Sequence, residues 1–162
     1  MRGRRYVPTG MPSYPPKLSA IVSLFESLPE DERRESLIAY AGQAKRHEPK
    51  PGETFDFEDV RKDGECTDTV GVFLRVDAEG RAHFRITLGP QVQTLTKAMG
   101  AILCKGLDGA TLGETTELPA DFVPKIVGAQ LVRIRSQTVY YVLRRMQEAA
   151  RVFLSRRRAE QL

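Results

Sequence analysis

The chain reads as a single α+β domain, with helices packed on one side of a small antiparallel sheet. Two observations predict this. Apolar residues recur at three- and four-residue steps near both ends of the chain, and at strict two-residue steps in its middle. Each pattern leaves one apolar face, and helices laid over one face of a sheet cover both. At 162 residues and 41% hydrophobic, the chain is long enough for one core and too short for two large independent domains.

Residues 1–16 carry Arg2, Arg4 and Arg5 and four of the ten prolines, which predicts a flexible basic, Pro-rich arm. Order is expected from Lys17. Leu18, Ile21, Val22, Phe25 and Leu28 mark a short helix that Pro29 ends. Glu30, Asp31 and Glu32 suit the first turn of a second helix, whose dipole favours negative charge there, and Leu37, Ile38 and Ala41 continue its apolar stripe. Between Glu48 and Gly64, only the Phe55 and Phe57 alternation suggests an extended piece. Val70, Val72, Leu74 and Val76, a turn at Asp77-Ala78-Glu79-Gly80, and Ala82, Phe84, Ile86 and Leu88 then predict an antiparallel hairpin with one buried face.

Val92, Leu95, Met99, Ile102 and Leu103 predict a further helix, with Gly106 as its left-handed end. A loop is expected from Leu107 to Pro119, then a short helix at Phe122–Val127. A long helix follows, capped by Ser136 and carrying Val139, Val142, Leu143, Met146, Ala150 and Phe153 on its apolar face. The folded domain is expected over 17–155, and a basic C-terminal tail over 156–162.

No run of apolar residues is long enough to span a membrane, and no apolar segment follows the basic N-terminus as in a secretory signal. A cytoplasmic protein is expected. Two cysteines are too few for a disulfide framework, and the two histidines, His47 and His83, stand at no ligand spacing from Cys66 or Cys104, so no metal or other cofactor is expected. The net charge of +4 sits largely at the two ends. Solvated helix ends explain it more simply than nucleic acid, although an RNA- or ribosome-associated basic protein is the alternative reading.

The chemistry rests on Cys66, which falls in a loop just before the strongest strand. A thiol of pKa about 8.5 is a few per cent thiolate at neutral pH, enough to attack sulfur in another molecule. Taken alone, a single loop cysteine is more often a partly buried small hydrophobe. Asp63, Glu65 and Asp68 surround it in sequence and would raise its pKa if close in space, so a cation from elsewhere is needed. Cys104, beside Leu103 on a helix, reads as core. No phosphate-binding glycine loop, nucleophile elbow or metalloprotease motif occurs.

Four segments together resemble the SufE family, over about Lys17 to Phe153. Ser36-Leu37-Ile38-Ala39-Tyr40-Ala41-Gly42-Gln43 is similar to its second-helix motif, and Glu65-Cys66-Thr67-Asp68-Thr69-Val70 to its Gly-Cys-x-Ser-x-Val segment. Lys97-Ala98-Met99-Gly100-Ala101 resembles its Lys-Gly-Leu helix, and Arg135-Ser136-Gln137 the opening of its last helix. Glu65, Asp68 and Gly71 depart from the family's usual Gly, Ser and Trp.

The resemblance implies a SufE/IscU-like sandwich. It also implies a sulfur carrier that takes persulfide sulfur onto Cys66 from a cysteine desulfurase (SufS-like), stimulates that enzyme, and supplies iron-sulfur cluster assembly on a SufBCD-like scaffold. This is sulfur transfer rather than the work of a stand-alone enzyme, and the pyridoxal phosphate belongs to the desulfurase. Arg135, on the same grounds, is expected near the cysteine site. Two distant cysteines argue against a cluster scaffold, and the acidic surroundings of Cys66 against a peroxide-reducing thiol enzyme.

Overall fold

The computed structural model describes residues 14–62, 68–128 and 137–161, and the statements below concern these residues. Six α-helices and one three-stranded antiparallel sheet form an α+β fold. Pro16, pre-set for a helical first turn, opens α1 (Pro16–Ser27), which buries Leu18, Ile21, Val22 and Phe25. Pro29 caps α2 (Glu30–Gly42), whose first turn holds the three acidic residues. Of its expected stripe, Leu37 is buried but Ile38 is 59% exposed. One residue is about 100° of helical rotation, which carries Ile38 off the face that Leu37 buries.

A 3-10 turn (Ala44–His47) leads to β1 (Phe57–Arg61), β2 (Val70–Val76) and β3 (Ala82–Leu88), in spatial order β1-β2-β3. Arg61 pairs with Val70, and Val76 with Ala82. The alternation sends Val70, Val72, Leu74, Ala82, Phe84 and Ile86 into the core. Phe73, Arg75, His83 and Arg85 share the opposite face, where the Phe55 ring lies 5.3 Å from that of Phe73. At the β2–β3 turn Gly80 takes φ 78°, and the Asp77 carboxylate accepts the backbone N–H groups of Glu79 and Arg81 at 2.9 and 3.0 Å.

The next helix, α3 (Thr94–Gly106), is buried along most of its length. Gly106 does not end it in a left-handed conformation as the sequence suggested; it lies within the helix, where a Cβ would sit 2.9 Å from Leu18 Cδ1. Close approach of α1 explains this glycine. The left-handed position falls to Gly109, at φ 78°. Inside the expected loop lies α4 (Leu112–Thr116), closed by a capping box between Thr111 and Glu114.

Helix α5 (Phe122–Val127) precedes α6 (Gln137–Glu160), which runs well into the segment expected to be a tail. The expected cap, Ser136, lies outside the described residues. Helices α3 and α6 cover the core face of the sheet, and α1 and α2 pack on α3. Tyr14 donates to Asp121 at 2.7 Å and meets the Phe122 ring edge-on at 6.0 Å, tying the chain ahead of α1 to α5. Among the described residues no helix is long and apolar enough to cross a membrane.

Candidate functional site

Cys66 and Arg135 both lie outside the described residues. What surrounds the Cys66 connection is defined on either side, by the end of β1 and the start of β2. These two points are fixed by two separate devices. Each uses a charged side chain to hold backbone.

The first device is Asp68. Its carboxylate accepts the N–H of Thr69 at 2.7 Å through one oxygen and the N–H of Gln91 at 2.9 Å through the other. These backbone bonds, Gln91's first, hold its pKa below the usual carboxylate range, with Lys62 adding a smaller pull. Gly89 N–H also donates to Thr69 O at 2.9 Å. The approach is so close that a Cβ on Gly89 would overlap the Asp68 carboxyl group. Any larger residue at 89 would have to displace the Asp68 carboxylate from this position.

The second device is Arg145 of α6, whose side chain is 2% exposed. Its Nη1 donates to Val70 O at 2.6 Å, and its Nη2 to Asp59 O at 2.5 Å while standing 3.1 Å from the Asp59 carboxylate. One guanidinium thus ties β1, β2 and α6 together, at a strand start four residues after Cys66. Arg145 was not among the residues singled out from the sequence. Its spacing held the clue, since Val142, Arg145 and Ala149 follow one another at three- and four-residue steps and all are buried.

A cleft of about 440 Å³ opens beside the first device. Ala41 and Gly42 come from the α2 motif, Lys97 from the α3 motif, and Ile86, Leu88, Gly89 and Pro90 from the end of β3 and its turn. The α2 and α3 motifs, far apart in sequence and each quoted above for its family resemblance, meet in one largely apolar recess. Gly89, in its wall, touches Asp68.

Cys104 is a different kind of cysteine. It is 3% exposed on α3, and burial pushes its thiol up to about 12, so it stays protonated at neutral pH. Its role is packing. The described residues contain no cluster of three or more His, Cys, Asp or Glu side chains able to hold a metal.

The described residues thus form a layered α+β fold with two braced strand ends and an apolar cleft beside them. Residues 19–150 match the SufE family, the Fe-S metabolism associated domain, and the chain belongs to that family. Among solved structures it is similar to the solution structure of a hypothetical protein from Thermus thermophilus. The two share 26% identity and a TM-score of 0.71, over 88% of this chain and 99% of the other. No curated protein matched.

Proposed function

We propose that this protein is a persulfide carrier that uses Cys66 as its acceptor, stimulates a pyridoxal-phosphate-dependent cysteine desulfurase of the SufS type, and passes sulfur to a SufBCD-like iron-sulfur scaffold in the cytoplasm. Its place in iron-sulfur metabolism follows from its family. The observation that carries the finer reading is the convergence of the α2 and α3 motifs on the cleft beside Asp68, two residues from Cys66.

In the reaction, the Cys66 thiolate attacks the terminal sulfur of the donor's cysteine persulfide. A bond forms from Cys66 Sγ to that sulfur as the bond to the donor's own sulfur breaks, and the donor cysteine departs as a thiolate. No external oxidant or reductant is needed, because the sulfane sulfur keeps its oxidation level. The braced ends of β1 and β2 hold the connection's two anchors in place during the exchange. Arg135, through the family resemblance, is assigned as the cation that favours the thiolate against nearby carboxylates.

The test is intact-mass analysis after incubation with a cognate desulfurase and free cysteine. A gain of one sulfur atom, removed by reductant, is expected in the wild type and in Cys104→Ala but not in Cys66→Ser. A gain that survives Cys66→Ser, or its absence from wild type with an active desulfurase, overturns the assignment.

A further inference from the structure

A second cleft, of about 370 Å³, lies beside the edge strand β3, lined by Arg75, His83 and Arg85 of the sheet and by Cys104, Lys105 and Asp108 at the α3 end. Its charges are unbalanced. Lys17, Arg75, Arg85 and Lys105 line it against two carboxylates, Glu53 and Asp108. Both carboxylates are already engaged. Glu53 holds Arg85 Nε at 3.2 Å, and Asp108 takes Lys17 Nζ at 2.6 Å and His83 Nδ1 at 2.7 Å.

His83 occupies the carboxylates further: its Nδ1 stands 2.7 Å from Asp108 and its Nε2 2.8 Å from the Asp77 carboxylate. Among the described residues, Arg75 and Lys105 form no ion pair, although the Lys105 ammonium lies 5.6 Å over the Tyr40 ring. His47, in the same wall, reports the resulting field: burial, then Arg85, Lys105 and Arg46, lower its pKa, and Asp108 offsets this only in part. Phe55 and Phe84 add apolar surface beside the cations.

We propose that this cleft binds a small phosphate monoester, with Arg75, Arg85 and Lys105 receiving the dianion and Phe55 supporting its organic part. An excess of two positive charges matches a dianion, and guanidinium forks suit phosphate oxygens. The volume falls in the range of small-molecule sites. The described residues lining the cleft include neither Lys62 nor Asp68, which flank the Cys66 connection, and the proposal stands whether or not Cys66 carries sulfur.

His47 and His83 are the only two histidines in the chain, and both line this cleft, so their ring signals in NMR report on it alone. Titration with phenyl phosphate is expected to shift both saturably, more tightly than inorganic phosphate or benzoate. Bound dianion should raise the His47 pKa by countering Arg85, Lys105 and Arg46. Arg75→Gln and Lys105→Gln, both at exposed positions, should each weaken binding about tenfold, the loss of roughly one charge-assisted hydrogen bond. Cys66→Ser should leave it unchanged. Absence of saturable shifts with phenyl phosphate, equal affinity for benzoate, or full binding by both Gln variants would overturn the proposal.

Discussion

Replacing Arg145 by alanine should cost this fold more than any other single arginine. The guanidinium is buried, and it serves Val70 O, Asp59 O and the Asp59 carboxylate at 2.6, 2.5 and 3.1 Å. Truncation leaves the Val70 carbonyl facing a void, and an orphaned buried acceptor costs about 1–3 kcal/mol. Removing one partner of a buried ion pair costs about 3–5 kcal/mol, but the Asp59 side chain keeps 24% exposure and recovers some hydration. A loss of about 3 kcal/mol results. With a urea m-value of about 2 kcal/mol/M, the unfolding midpoint should fall by about 1.5 M.

Arg145→Met separates the donors from the packing, since it keeps an apolar stem over Tyr141 but donates nothing. It should lose nearly as much as alanine. Arg145→Lys, with one ammonium for three acceptors, should fall between methionine and wild type. Urea titration by circular dichroism, with a cycle against Asp59→Ala, measures both the loss and the coupling. A loss under about 1 kcal/mol for both Ala and Met variants would refute the view that Arg145 is the tie between β1, β2 and α6.

Two further outcomes follow from the geometry. Gly106→Ala should destabilise by about 1–2 kcal/mol in the same titration, because overpacking against Leu18 exceeds the helix-propensity gain of up to about 1 kcal/mol; the Cβ would lie 2.9 Å from Leu18 Cδ1 and 3.2 Å from its backbone Cα. An unchanged midpoint would show that α1 gives way. Asp77 has its pKa lowered from 3.8 to about 2, first by His83 and then by the N–H of Arg81. A depressed carboxylate stabilises fully above its unfolded pKa and loses that contribution as pH falls through the folded one. The stability gap between wild type and Asp77→Asn should therefore close on acidification between about pH 4 and about pH 2. A gap that stays constant would show that the Asp77 carboxyl is not depressed in the folded protein.

The layout of helices around a hairpin was legible because period and punctuation agreed. Leu18, Val22 and Phe25 recur at helical steps, Val70 to Val76 and Ala82 to Leu88 alternate, and Pro29 and Gly80 mark breaks; all hold in the structure. Gly106 was misread because glycine has two uses, a left-handed end or a close approach, and only the neighbour, Leu18, tells them apart. Helix α4 was legible in principle, since Thr111 and Glu114 stand at capping-box spacing, but with five residues it has too little apolar period to register. The anchoring role of Arg145 was hidden by its charge, which sequence reading assigns to the surface even on a buried stripe.

The departure at Asp68 has a physical reading that the family pattern alone does not supply. A serine offers one uncharged oxygen on a shorter arm, whereas the two carboxylate oxygens of Asp68 reach the N–H groups of Thr69 and Gln91 separately. The aspartate therefore fastens the start of β2 to the turn after β3 more firmly than serine would. The same choice places an ionised carboxylate two residues from Cys66, and its backbone bonds keep it ionised by lowering its pKa. Nearby negative charge disfavours a thiolate. If the two side chains are close in space, firm anchoring of the strand by Asp68 and ionisation of Cys66 pull in opposite directions. If Cys66 carries sulfur as proposed above, the carrier needs a cation brought to the thiol, and a donor enzyme that supplied it would make the acceptor most reactive where the donor is docked.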